Sequence, residues 1–257
     1  MVAPIKYKPV GKCIYCGRNS LQLSDEHIIA EAIGGNFILP KASCPRCSKI
    51  TTKLEGHCFR GTLGAFRAQT KAPSKRPKQR PTHYNLTIQN RNGKFDTLNI
   101  PIQDYPAFLM LPKFNSVPMI LSGETIDPEK TCDYWSLVTN TSLYKNLDAK
   151  IGFVPFHPSK WLRMLAKISH SYAVAKLGVN GFKPFLPKII LGHQSATLEY
   201  FGCPSEETPQ VEGVGHRIEL INAIINGNSE VKYLVVNLRL YESYGAPQYH
   251  IVVGTMK

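Results

Sequence analysis
Cys13-Ile14-Tyr15-Cys16-Gly17, then Ser24-Asp25-Glu26-His27-Ile28-Ile29, then Leu39-Pro40-Lys41-Ala42-Ser43-Cys44-Pro45-Arg46-Cys47: these three stretches decide how the chain folds. A Cys-x2-Cys turn presents two thiols to one tetrahedral ion, and two such turns complete the four-sulfur set of a structural Zn2+. Residues 17–43 between the pairs leave room for a β-hairpin, and Gly17 suits the tight turn of a knuckle. A redox dithiol would call for one pair in a thioredoxin-like βαβ pattern, which is missing. The chain has 7 cysteines, an odd number that disfavours a complete disulfide framework. Cys58, Cys132 and Cys203 read as small buried hydrophobes.

Between the knuckles, Glu26 and His27 fall on a short β-like stretch, Gly34-Gly35 makes a turn, and a helix is expected to start near Ser48. A carboxylate can hold Mg2+ or Mn2+ while the ion keeps waters and phosphate oxygens. An adjacent neutral imidazole can take a proton from an attacking water. Together these parts suit hydrolysis of a phosphodiester. Alone, a Glu-His pair would say nothing; bracketed by two zinc knuckles in a basic chain it becomes specific.

These residues resemble the HNH endonucleases, and within them the branch with a Leu-Pro-Lys-Ala-Ser-Cys segment before the second knuckle. The resemblance is close over residues 13–58 and looser through Arg60–Pro81. It implies a zinc-braced ββα-metal, treble-clef-like module in which Cys13, Cys16, Cys44 and Cys47 hold the fold. His27 would be the general base, Glu26 a ligand of the catalytic Mg2+ or Mn2+, and a residue on the following helix would complete that site. The family usually has Asn or His after the last cysteine, where this chain has Ser48. Thr52 and Glu55 follow at i+4 and i+7, so Glu55 is a second candidate for the missing ligand. Asp25 reads as a hairpin residue and His57 as a surface or packing residue.

Charge supports the same direction. The 257 residues carry 31 Lys+Arg against 18 Asp+Glu, a net +13, which excludes an acidic solvating protein and points to a polyanion. Seven of the cations, Arg60, Arg67, Lys71, Lys75, Arg76, Lys78 and Arg80, lie in residues 60–80 without an acid among them. They are expected to contact phosphates. The partner is expected to be DNA, with RNA open; nicking or double-strand cutting depends on whether the chain acts as a monomer or a homodimer. No apolar run approaches the roughly 18 residues of a membrane span, and the N-terminus has no signal-like apolar core. A cytoplasmic protein is the expectation.

The fold class expected is α+β: residues 1–70 as the nuclease module, 71–81 as a basic Pro-rich linker, and 82–257 as an antiparallel-sheet-plus-helix accessory domain. Asn92-Gly93 signals a type I′ hairpin between Tyr84–Gln89 and Phe95–Ile102. Ser159 would cap a helix ended by Gly178. Its apolar stripe is Trp161, Leu165, Ile168 and Tyr172, opposite a basic stripe of Lys160, Arg163, Lys167 and His170. Strands are expected over Arg217–Ile225, Lys232–Leu240 and Tyr249–Val253. The activity expected is metal-dependent hydrolysis of DNA phosphodiesters. The competing expectation is a zinc-containing nucleic-acid-binding protein whose catalytic site is weak or lost.

Overall fold
The two cysteine pairs and the hairpin between them organise the N-terminal part of a mixed α+β chain. A computed structural model describes residues 3–74, 76–123, 132–141, 150–152, 156–206, 209–225 and 228–257. Strands β1 (Ile5–Lys6), β2 (Ser24–His27) and β3 (Phe37–Ser43) form a sheet in the order β1-β3-β2, with β1 parallel and β2 antiparallel to β3. A single 3-10 turn, Glu31–Ile33, ends on Gly34 at φ +97. At Gly35 an added Cβ would stand 2.1 Å from the Ile29 carbonyl oxygen, so only glycine allows the chain to return this tightly.

The β2–β3 register slips between the pairs Ser24↔Ser43 and Glu26↔Leu39. Pro40–Ala42 therefore bulge opposite Asp25. Lys41 sits at φ 49, and its N–H donates to Asp25 Oδ1 at 3.2 Å. Asp25 thus serves the hairpin, as expected. Helix α1 (Pro45–Gly56) begins at the second knuckle, with Cys44 as its N-cap and Pro45 in the first turn. It starts three residues before the expected Ser48. A wide π-helical stretch, His57–Thr62, leads into α2 (Gly64–Gln69). Beyond it, only the turn Pro77–Gln79 interrupts an otherwise irregular basic segment.

In the C-terminal part, β4 (His83–Gln89) and β5 (Phe95–Pro101) form the expected hairpin. Its turn is not type I′. That turn needs positive φ at both central residues, and only Gly93 has it, at φ +74. Instead, Asn90 Oδ1 accepts from the N–H groups of Asn92 and Lys94 and closes a longer loop. A second antiparallel pair joins β6 (Phe108–Phe114) to β7 (Cys132–Val138), with the short α3 (Met119–Ser122) between them, and β8 (Lys150–Gly152) adds to β4. Next come α4 (Pro158–Leu177), β9 (Phe182–Pro184), α5 (Pro187–Leu191) and β10 (Phe201–Gly202). Then β11 (His216–Ile225), β12 (Asn228–Leu240) and β13 (Gln248–Met256) form the path β10-β13-β12-β11, with β9 on β13. Leu234, Val236, Leu238 and Leu240 are all buried, as the alternation along β12 required.

Helix α4 is the central element. It begins at Pro158 with His157 at the N-cap rather than at Ser159, because proline is preorganised for the first helical turn. It ends at Gly178, as expected. Every residue from Met164 to Val174 is buried, since the helix packs on α1 and α5 and on strands β12 and β13. One hydrophobic cluster runs from Cys13 and Ile14 through Leu54, Phe59, Trp161 and Leu165 to Val253. Cys58 and Cys203 are buried in it, and Cys132 packs at its margin.

Candidate metal and carboxylate site
The four cysteines converge. Their Sγ atoms lie within 4.8 Å of one another, and Cys16 and Cys44 are 3.8 Å apart. Four sulfurs about 2.3 Å from one ion stand roughly 3.8 Å apart. The set fits a structural metal such as zinc in number, chemistry and spacing. Each pair is shaped by its turn: Gly17 at φ +71 donates its N–H to the Cys13 carbonyl, and the first turn of α1 carries Cys44 and Cys47. Burial opposes the Cys44 thiolate, but the Cys47 N–H and the neighbouring thiols bring its pKa down to about 7.

The second constellation lies between β2, α1 and α4. Glu26 is buried on β2, and Glu55 rises from the last turn of α1. Their Oε1 atoms both stand 2.7 Å from Lys167 Nζ. The same ammonium donates to the main-chain carbonyl of His27 and, at 3.4 Å, to that of Ile28. Lys167 is 0% exposed. Burial alone would lower its pKa, but the charges of Glu26 and Glu55 outweigh burial and raise it, so the side chain stays cationic. Tyr15 packs alongside with its hydroxyl 3.1 Å from Ser171 Oγ. Burial, reinforced by the Glu26 charge, pushes its phenol pKa well up.

The basic stripe of α4 is therefore not a solvated face. Lys160 Nζ reaches His57, Lys167 holds the carboxylates, and His170 Nε2 donates to the Ile14 carbonyl at 2.8 Å. The stripe is the seam by which α4 docks onto the cysteine-bearing hairpin and α1. Leu162, Met164, Ala166, Ala173 and Val174 widen the apolar surface on both sides of the basic stripe, so the stripe is flanked by buried residues.

Of the four residues expected to do chemistry, the structure brings Glu26 and Glu55 onto one cation. The His27 main chain joins them there. His27 is half-buried, and its Nδ1 is enclosed without a hydrogen-bond partner. Ser48 lies apart, in an open groove with Lys49, Thr52 and Lys53 on the outer face of α1. Glu55 also lines a cleft of about 490 Å3 with Glu31, Thr52, Arg67 and Arg76. Two carboxylates converge here, one of them on a cleft wall, but among the described residues only the four cysteines form a group of three or more ligand side chains close enough to hold one ion. Lys167 already neutralises one oxygen of each carboxylate.

The basic segment divides by role. Arg67 is partly structural: its Nε donates to the Ala32 carbonyl at 2.7 Å and its Nη1 to that of Phe59 at 3.0 Å. Arg80 donates to the Ala72 carbonyl at 2.5 Å. Lys71, Arg76 and Lys78 are exposed. Lys75 and the side chain of Arg60 lie outside the described residues. His57 packs on the His157 ring, with centroids 4.8 Å apart, and on Lys160. Among the described residues no helix is long and apolar enough to cross a membrane. No protein-family model, curated protein or solved structure matches the chain.

Proposed function
We propose that the chain is a metal-dependent endonuclease of the HNH kind that hydrolyses DNA phosphodiesters. The observation that carries this reading is the meeting of Glu26 and Glu55 beside His27, on a hairpin and helix that spring from the four-cysteine cluster. The cleft supports it, because it sets Glu55 beside the cations Arg67 and Arg76. Those cations, with exposed Lys71 and Lys78, would hold the phosphate backbone next to the carboxylates.

Glu26 and Glu55 are the residues that would hold Mg2+ or Mn2+, with Ser48 too far along α1 to share the same ion. The chemistry such an ion supplies when bound is neutralisation of charge on the phosphate and on the leaving oxygen. His27 would take the proton of the attacking water on its imidazole. The water oxygen bonds to phosphorus, the bond from phosphorus to the 3′-oxygen breaks, and that oxygen ends protonated by solvent. Glu26 and the His27 main chain share Lys167, so the base and the carboxylates are held by one cation.

A second reading, a nucleic-acid-binding protein without catalysis, is favoured by the same lysine, which already compensates the carboxylates. One experiment separates the two: supercoiled plasmid is incubated with the zinc-loaded protein and Mg2+ or Mn2+, beside His27→Ala. Cleavage by the wild type, reduced at least about 100-fold in the variant, is expected. A wild type that retards the plasmid on a gel but leaves it uncut would establish the second reading.

A further inference from the structure
The nuclease reading leaves the C-terminal part without a task, yet it inserts one fully buried charged side chain between the two carboxylates. Lys167 is 140 residues beyond His27 in the chain and comes from the middle of α4. Its ammonium has three N–H donors and meets four acceptors: Glu26 Oε1, Glu55 Oε1, and the carbonyls of His27 and Ile28. Among the described residues no other cation forms an ion pair with either carboxylate.

We propose that Lys167 is a positioning residue of this site, a permanent internal cation that holds Glu26, Glu55 and the His27 main chain together and leaves the pair competent for a single divalent ion. The charge balance is the reason. Two carboxylates and one ammonium leave one net negative charge in a buried place. Without the ammonium, two like charges would face each other there and be forced apart. With it, one divalent ion and the negative charge of a phosphodiester complete the balance. A consequence is that the site is not self-contained in residues 1–70, because α4 closes it.

The inference rests on the nuclease reading only for the identity of the divalent ion, and its test reads folding and ion binding instead of cleavage. Thermal unfolding of the zinc-loaded full chain is followed with and without Mn2+ for the wild type, Lys167→Met, and the neutral triple variant Lys167→Met/Glu26→Gln/Glu55→Gln. Lys167→Met is expected to melt on the order of 10 °C lower without Mn2+. Mn2+ should recover at least half of that loss while raising the wild type far less, because the ion replaces the missing positive charge. The triple variant should melt close to the wild type and ignore Mn2+, since no charge is left unpaired. A loss that Mn2+ does not recover would overturn the proposal, and so would a triple variant that remains as unstable as Lys167→Met, because the stem of the lysine and not its charge would then matter. If Lys167→Met does not fold without Mn2+, folding on Mn2+ addition is the supporting result and its failure the overturning one. Absence of plasmid cleavage by the wild type would end the nuclease reading and leave this measurement standing.

Discussion

Ser48 and Glu55 share a face of α1, but seven residues of helix separate them by about 10 Å along the axis. They cannot serve one ion. Glu55 reaches Lys167 and the cleft, whereas Ser48 opens onto a different groove. Glu55→Gln and Glu26→Gln should therefore each weaken Mn2+ binding at least about tenfold, near 1.4 kcal/mol. Ser48→Ala should leave the binding isotherm unchanged. Calorimetric titration of the three variants decides this, and a weakening confined to Ser48→Ala would move the site to the outer groove. At this scale Glu26, Glu55 and the four cysteines were legible because their spacing is local, set by a strand, a helix turn and two knuckles.

At the scale of elements, α4 carries Ser169, His170 and Ser171 into the core besides Lys167. His170 faces the rings of Tyr15 and Phe182, each at 6.0 Å, and lies one turn from Lys167 on its own helix. Burial lowers its pKa from 6.5 to about 4, partly opposed by the Ile14 carbonyl that its Nε2–H reaches. Between those two values the unfolded chain binds the extra proton, so stability is fully present above pH 6.5 and is lost as the pH falls toward 4. Up to roughly 3 kcal/mol is at stake. His216 and His250 are shifted the same way, again by burial. Urea unfolding at pH 7 and pH 4.5 should show the loss, and His170→Gln, which keeps a donor toward Ile14, should show a smaller one. An equal loss in both proteins would mean that His170 is not the acid-sensitive group.

On the scale of the whole molecule, the cysteine cluster and the C-terminal sheet share one hydrophobic core through α4. Removing zinc with a chelator should then lower the melting temperature by roughly 10 °C or more. Circular dichroism of the β-sheet and fluorescence of Trp161, buried on α4, should fall in a single transition. Two separate transitions, with the sheet unmoved, would show that the cysteine-bearing part folds by itself. The net charge of +13 acquires a location at this scale. Arg76 stays exposed on the cleft and Lys71 and Lys78 are exposed in the same segment, while Arg67 and Arg80 spend hydrogen bonds on main-chain carbonyls, and Lys160 and Lys167 turn inward.

What the amino-acid sequence determined by itself was local: two knuckles, a hairpin turned at Gly34 and Gly35, a helix after the second knuckle, and the alternation of β12. Each follows from a spacing of a few residues or from a backbone conformation that one residue type permits. The type of the Asn92-Gly93 turn escaped because the Asn90 side chain, two residues earlier, competes for the same N–H groups. Lys167 escaped for a larger reason. Whether a lysine on a helix faces water or two carboxylates depends on which element covers that face, and here the cover lies more than a hundred residues away in the chain. Only the tertiary structure decided that, because a buried charge is tolerated solely where opposite charges have been folded to meet it.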